Sequence, residues 1–398
     1  MSVTDLPGQP GRPDRLRVLV VSESFLPQIN GVTNSVRRVL EHLAAEGHAA
    51  ELVAPTGPAT YEGFRITRAR GAFLPLYKDF RVGFESRRRL RQVMMRFRPD
   101  VVHIASPATL GFQAVRVAGE LGIPTVAIYQ TDMVGFARRY EERFGLTGVP
   151  APSKAMAAFT RMIHLGVDRT LAPSTASLTQ LDALAVPRTA LWPRGVNVEQ
   201  FHPSRRDEQL RAQLATGGET IVGYVGRLAI EKELELLTVL DADPRIRLVL
   251  VGGGPDEAKL RAMLPHAAFL GVLHGDELGA AYASLDAFVH TGRHETFCQS
   301  AQEALASGLP VVAPRQGGPV DLVTDGVTGF LYTPGSAAEL HEYVARLVAD
   351  TTLRRRMGRA ARVSVADRSW KSVNDRLVRH YREVIEERSG FRSQRLSA

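Results

Sequence analysis

The chain has 398 residues, 44% hydrophobic and 23% charged, with 50 Lys and Arg against 42 Asp and Glu. That length exceeds one ordinary core, so two domains are expected, and the composition is that of a folded globular protein rather than a disordered one. The balance of +8 favours anionic partners, the single cysteine excludes an internal disulfide and fits a reducing cytoplasm, and no apolar run is long enough to span a membrane or serve as a signal-peptide core.

Residues 1–15 are rich in Pro, Gly and charge and read as a disordered tail. From Arg17 the pattern is an apolar strand at Val18–Val21, a loop from Ser22 to Gly31, and a helix from Val32 to Glu46. Val32, Val36, Val39, Leu40 and Leu43 form one face of that helix, Gly47 ends it, and a strand follows at Ala50–Ala54. Such a βαβ unit predicts a parallel sheet covered by helices. Between Phe84 and Pro99 the apolar stripe Leu90, Val93, Met94 and Phe97 is set among Arg87, Arg88, Arg89, Arg91, Arg96 and Arg98. This is either a domain helix with a solvated basic face or a contact for anionic lipid.

Further strands are expected at Val101–Ile104, Thr125–Tyr129 and Arg169–Ala172. The rhythm restarts at Thr220–Val225 and continues at Arg247–Val251, Ala287–His290 and Pro310–Val312. The bridge Trp192-Pro193-Arg194-Gly195-Val196-Asn197 is the weakest-patterned stretch between these halves, and a hinge is placed there. The expected division is 16–195, joined by a C-terminal helix over about 370–388, and 196–369, with 389–398 a disordered basic tail. A ligand is expected in the cleft between the halves, at the carboxyl ends of strands.

Five segments at strand ends carry chemistry. Asn30 and Gly31 open the first helix, where unpaired N–H groups suit a phosphate; an ordinary βα turn would use the same residues. Arg227 and Lys232 follow the strand Thr220–Val225 and can converge on one anion, with Arg as a planar fork and Lys as a mobile point charge. The turn Gly252-Gly253-Gly254 permits close backbone approach, as does Gln316-Gly317-Gly318-Pro319. Gln130 and Asp132 stand at the end of a strand, and Asp132 serves equally well as a helix cap. His103 reads as a structural histidine within a buried strand.

The segment His294-Glu295-Thr296-Phe297-Cys298-Gln299-Ser300-Ala301-Gln302-Glu303 is the most informative. Glu295 falls in a loop before a helix and Glu303 about two turns inside it. A carboxylate in an otherwise apolar helix needs a polar partner, and the hydroxyls of a sugar nucleotide would supply one. Cys298 reads as a small buried residue rather than a nucleophile. No spacing of His, Cys and Asp fits a metal site, and no G-x-G-x-x-G, Walker or G-x-S-x-G motif is present. Basic residues are not interleaved with stacking aromatics, which argues against nucleic acid.

Taken in order, these segments resemble the retaining glycosyltransferases of family four, over about residues 16–388. The resemblance implies the GT-B architecture, an α/β fold of two Rossmann-like parallel-sheet domains facing across a cleft. Within that family the sequence is most similar to actinobacterial GDP-mannose-dependent α-mannosyltransferases acting on glycolipids, through Glu23-Ser24-Phe25-Leu26-Pro27-Gln28, Tyr129-Gln130-Thr131-Asp132, Arg194-Gly195-Val196 and His294–Gln299. It implies Arg227, Lys232 and Glu295 as catalytic residues, the two cations on the donor diphosphate and Glu295 on the transferred sugar. Gly31, Gly253, Phe297, Cys298, Gln299 and Glu303 would bind the donor, with Glu303 on the ribose. Asn30, Gln130 and Asp132 would position acceptor or sugar, Gln130 standing where many relatives carry histidine. Cys298 stands where many carry glycine.

The expected activity is retaining transfer of a hexose, mannose from GDP-mannose, to a hydroxyl of a lipid or glycan acceptor, with no cofactor or metal held by the protein. The expected place is the cytoplasm, with contact to the inner membrane face through the Arg87–Arg98 region. Competing readings are a UDP-sugar-dependent transferase of the same fold, a sugar-nucleotide epimerase, and a non-catalytic membrane-binding protein.

Overall fold

A computed structural model of the chain describes residues 15–28, 30–74, 77–144 and 152–396. Two compact units emerge. The first comprises Met1–Leu171, Leu181–Ala190 and Asn374–Ala398, the second Ala172–Gln180 and Leu191–Val373. Apart from Arg15, the tail expected over residues 1–15 lies outside the described residues.

The strands centred on the first unit are β1 (Arg17–Val21), β2 (Ala49–Ala54), β3 (Thr60–Tyr61), β4 (Phe64–Arg68), β5 (Arg70–Leu74), β6 (Tyr77–Phe84), β7 (Val101–Ile104), β8 (Thr125–Ile128), β9 (Arg169–Ala172) and β10 (Thr189–Leu191). The main sheet runs β10-β9-β8-β7-β1-β2-β4-β3, and β5 and β6 form a separate antiparallel pair. The pairs from β9 through β1 to β4 are parallel. Val18, Leu19, Val20 and Val21 are all fully buried, as expected for a strand covered on both faces.

The helix Gly31–Ala45 begins where Asn30 accepts the N–H of Thr33 at 2.9 Å, a side-chain cap. Its buried stripe contains Val36, Val39, Leu40 and Leu43. Gly47, at φ 73°, ends it while His48 N–H reaches the Leu43 carbonyl at 2.8 Å. Helix Arg87–Phe97 buries Leu90, Val93 and Met94 against the sheet core that includes Leu19, Val102 and Ile104. Most of its basic face is neutralised locally. Arg87 and Arg91 pair with Glu120, Arg96 with Glu51, and Arg89 with Glu85 at 2.9 Å.

The final helix runs Trp370–Leu396, which corrects the expectation of a disordered segment from residue 389. Arg388 pairs with Asp168 at 2.5 Å and Ser389 hydroxyl bonds back to the Ile385 carbonyl at 2.8 Å. Arg169 holds the same helix through Glu383 and Glu387. Tyr381, fully buried, meets His103 Nδ1 at 2.6 Å. Burial pushes that imidazole down to about 3, so His103 is neutral and structural.

In the second unit, β11 (Thr220–Val225), β12 (Ile246–Val251), β13 (Ala268–Gly271), β14 (Ala287–Val289), β15 (Val311–Pro314) and β16 (Gly329–Tyr332) form one sheet in the order β13-β12-β11-β14-β15-β16. Every pair is parallel. The sheet has a core on each face. One gathers Ile221, Val249, Phe288 and Val311 with Leu305, and the other Val222, Leu248, Val289 and Val312 with Leu340 and Val344.

Candidate functional site

The loop after β11 and the loop after β12 touch backbone to backbone. A Cβ on Gly252 would lie 1.9 Å from the Gly226 carbonyl oxygen, and Gly226 itself sits at φ 157°. Leu228 N–H donates to the Gly253 carbonyl at 3.0 Å. Glycine is therefore required here for chain packing. Gly253 is half-buried, and the nearest atom to a Cβ there would be on Val272 at 3.2 Å. The β11 loop then makes a short turn, Ile230–Lys232, which delivers Lys232.

Lys232 Nζ donates to Glu295 Oε1, with each side chain 21% exposed. Glu295 belongs to the loop after β14. His290, immediately beyond that strand, places Nε2 3.6 Å from the same carboxylate oxygen and stacks its ring on Tyr224. Burial alone would raise the Glu295 pKa. The Lys232 ammonium, then His290 and Arg194, outweigh it and hold the group at about 2. Lys232 is raised, because Glu295 outweighs the burial that opposes its charge. Burial takes His290 down to about 4, so it is neutral at pH 7. Arg194, 5% exposed, is lowered to about 10 by burial, with Glu295 acting against that shift. At neutral pH Lys232 and Arg194 are positive around the Glu295 carboxylate, with Glu231 a second acid acting on Lys232, so any excess positive charge at these strand carboxyl ends comes from Arg227.

Arg227 stands outside this pairing. It is exposed, and its guanidinium makes no hydrogen bond or ion pair among the described residues. Its carbonyl accepts the Tyr224 hydroxyl at 3.0 Å, so the loop is fixed while the charge is left available to a ligand.

The path of the Glu295 loop is set by the turn after β15. Gly318 N–H donates to the Glu295 carbonyl at 2.7 Å, and Cβ atoms on Gly317 or Gly318 would lie 2.6 Å and 2.3 Å from backbone atoms of Glu295 and Phe297. Phe297 and Cys298 are each 3% exposed. Cys298 adopts φ 74°, ψ 67°, a left-handed conformation just before helix Gln299–Ala306. For a residue with a Cβ this costs about 1–2 kcal/mol. Its thiol is pushed up to about 12, by burial and then by Glu295, so it is protonated at neutral pH.

Because this helix starts at Gln299, Glu303 lies just over one turn inside it rather than two. It accepts the buried Tyr282 hydroxyl at 3.1 Å, so the protein itself supplies a polar partner. Gln299 donates its amide to the Gly195 carbonyl at 3.1 Å, and Gln302 donates to the Arg194 carbonyl at 3.0 Å. These two amides fix the backbone that carries Arg194. Sequence reasoning did not select Arg194, His290 or Gln302 as site residues. Arg194 belongs to a segment that carries the family resemblance, and the sequence places His290 at the end of a strand.

In the first unit, Gly31 is the exposed first residue of its helix. Asn30 both caps that helix and donates to Ser24 Oγ at 2.7 Å. Gln130 donates to the Ala105 carbonyl at 2.5 Å. Asp132 is buried and accepts Gly135 N–H at 2.8 Å, the helix-cap alternative left open by the sequence. Glu23, 1% exposed, receives the backbone N–H groups of Leu110 and Gly83 at 2.6 Å and 2.7 Å. Burial outweighs these bonds and raises its carboxyl to about 7. Among the described residues, His42, Glu46 and Asp375 bring possible ligand atoms within 4.8 Å of one another. Arg379 and Arg382 line the same hollow, which is the charge balance of an ion-pair cluster.

Two family descriptions match the chain, "Glycosyltransferase Family 4" over residues 29–200 and "Glycosyl transferases group 1" over residues 205–364. A protein of Mycobacterium tuberculosis described as a GDP-mannose-dependent alpha-mannosyltransferase is 48% identical over 93% of this chain and 97% of its own length. The chain belongs to glycosyltransferase family 4. A protein of Mycolicibacterium smegmatis with the same description is 47% identical to this glycosyltransferase, over 94% of it and 99% of the relative. The crystal structure of Anabaena Alr3699/HepE in complex with UDP matches at a TM-score of 0.76 and 18% identity, over 92% of the glycosyltransferase and all of the other chain. That likeness places the fold among the GT-B glycosyltransferases.

Proposed function

We propose that this glycosyltransferase moves mannose from GDP-mannose to a hydroxyl of a glycolipid acceptor, with retention of the α configuration. The observation that carries the reading is the cationic group at the carboxyl ends of β11 and β14, where Lys232 and Arg194 surround Glu295 and Arg227 remains uncommitted. The names of the relatives support the choice of donor.

In the reaction the bond from sugar C1 to the β-phosphate oxygen breaks, and its electron pair leaves with GDP. The acceptor oxygen bonds C1 on the same face and gives its proton to a phosphate oxygen of the departing GDP. Arg227 and Lys232 stabilise the charge that grows on the diphosphate, the preorganised electrostatic effect that is often the largest catalytic contribution. Glu295 accepts hydrogen bonds from hydroxyls of the mannose, and Glu303 from those of the ribose. Phe297, Cys298 and Gln299 supply backbone N–H groups at the start of their helix, with Gly253 beside the donor. Gly31, Asn30, Gln130 and Asp132 form the acceptor side.

No helix among the described residues is long and apolar enough to cross a membrane. Access to a lipid acceptor is assigned to the cytoplasmic membrane face, through helix Arg87–Phe97. Arg88 is exposed there and unpaired among the described residues, and Met95 of the helix and Phe84 just before it are 61% and 49% exposed.

The test offers GDP-mannose, UDP-glucose and UDP-galactose with a membrane lipid extract and reads products by mass spectrometry. A hexose adduct of lipid from GDP-mannose alone is expected. Transfer only from a UDP-sugar replaces the donor assignment, and a sugar that stays on its nucleotide in altered form makes the protein an epimerase.

A further inference from the structure

At the opposite ends of the strands that carry the candidate site lies a concavity. It occupies about 540 Å³, within the range typical of small-molecule sites, and its wall includes Arg206, Arg211, Arg354, Arg355 and Ser307. Leu285 and Asp286 precede β14, and Ser307 to Pro310 precede β15, so the hollow faces away from the strand ends that carry Glu295.

Four guanidiniums meet two carboxylates here, an excess of +2. Both acids are already engaged. Glu208 receives Arg206 at 2.6 Å, and Asp286 receives Arg211 at 3.1 Å and the N–H of Ile221 at 2.9 Å. Arg354 bonds the neutral Leu347 carbonyl at 2.6 Å, and Arg355 is exposed with no partner among the described residues. Arg354 is lowered first by burial and further by Arg211, Arg355 and Arg206, with Asp286 opposing. Like charges are therefore held together without full compensation. Independently of charge, Ser307 is 3% exposed and its hydroxyl has no hydrogen-bond partner among the described residues, which a protein interior tolerates poorly.

We propose that this hollow is a binding site for a phosphomonoester, held by Arg355, Arg206 and Arg354 with Ser307 Oγ as a further hydrogen-bonding group. A phosphomonoester is close to a dianion at neutral pH, which matches the excess charge, and its oxygens fit the guanidinium fork. The phosphate belongs either to the head group of a phosphatidic-acid-type lipid or to a small soluble molecule.

Calorimetric titration of the full chain with glycerol 3-phosphate, in saturating GDP to occupy the donor site, tests the proposal. Co-sedimentation with phosphatidylcholine vesicles containing phosphatidic acid forms the second arm. Binding in at least one arm is expected, weakened at least tenfold by Arg355→Ser and at least threefold by Ser307→Ala. Ligand-free melting temperature and mannosyl transfer in detergent should be unchanged. Binding to vesicles alone assigns the phosphate to lipid, and binding in solution to a metabolite. The site is overturned if neither probe binds, if GDP removes the binding, or if both variants bind as the parent does.

Discussion

The Lys232–Glu295 pair can be measured by a double-mutant cycle with Lys232→Met, Glu295→Gln and both together. Glu295 is held near 2 instead of its ordinary 4.5. At about 1.4 kcal/mol per pH unit, that gives an upper figure of about 3.5 kcal/mol at neutral pH. Each side chain is 21% exposed, so water screens the pair and about 2 kcal/mol remains. Lys232 is the largest of the opposing charges, so its coupling to Glu295 is expected at about 1.5 kcal/mol. The sign follows from the depressed carboxyl. Its contribution is complete above about pH 4.5 and is lost as pH falls toward 2. The two tryptophans, Trp192 and Trp370, both lie in the second unit. Urea unfolding at pH 7 is therefore followed by tryptophan fluorescence, whose two reporters lie in the unit that holds the pair. Single losses that add to within about 0.5 kcal/mol would refute the assignment of Lys232 as the partner that fixes Glu295.

Arg227→Ala should lower kcat by about 10²–10³-fold in steady-state assays while leaving the melting temperature unchanged, since the side chain is exposed and unpaired; a loss confined to GDP affinity would move Arg227 out of transition-state stabilisation. The Cys298 thiol, buried and held at about 12, should resist an aromatic disulfide reagent at pH 8 in the native protein and react fully in urea. Cys298→Gly should hold stability within about 1 kcal/mol, because relief of the left-handed backbone offsets the added chain freedom, whereas Cys298→Val should lose at least about 2 kcal/mol on the same fluorescence assay. Tyr381→Phe removes the hydroxyl 2.6 Å from His103 and should cost about 1–3 kcal/mol in unfolding followed by circular dichroism.

The strands buried on both faces were the legible part of the fold. Val101–Ile104, Arg169–Ala172 and Thr220–Val225 coincide with β7, β9 and β11, because short apolar runs such as Val101-Val102, Leu171-Ala172 and Ile221-Val222 mark strands covered on both faces. The strand β13 is half-buried throughout, so no such run marks it. β16 opens on Gly329 at φ 157°, where a Cβ would lie 1.9 Å from the Val311 carbonyl, and a glycine in that place reads as a loop. The strands from Thr60 to Phe84 include the sequence Tyr-Lys-Asp-Phe-Arg, whose charges hide any apolar pattern. The last helix extends past its expected end because Asp168 supplies a partner for Arg388, which the basic sequence of that end does not reveal.

The candidate site divides in the same way. Lys232 and Glu295 were legible because each follows a strand within a few residues. The convergence of Arg194 and His290 on Glu295 was not, since nothing in local spacing links residue 194 to residue 295. Asp132 and Gln299 show the reverse limit. Their residue types suit ligand contact, yet each has backbone to hold.

The glycines after β15 have an implication for how such a catalyst changes its preference. Gly317 and Gly318 clasp the Glu295 loop through main-chain atoms alone. The half-buried side chains of His294, Glu295 and Thr296 can therefore be exchanged while the frame that aims them, with Phe297 anchored in the core, stays in register. Selectivity for a sugar becomes a matter of trimming a few groups on a fixed bracket, and the bracket itself is the part that admits no substitution.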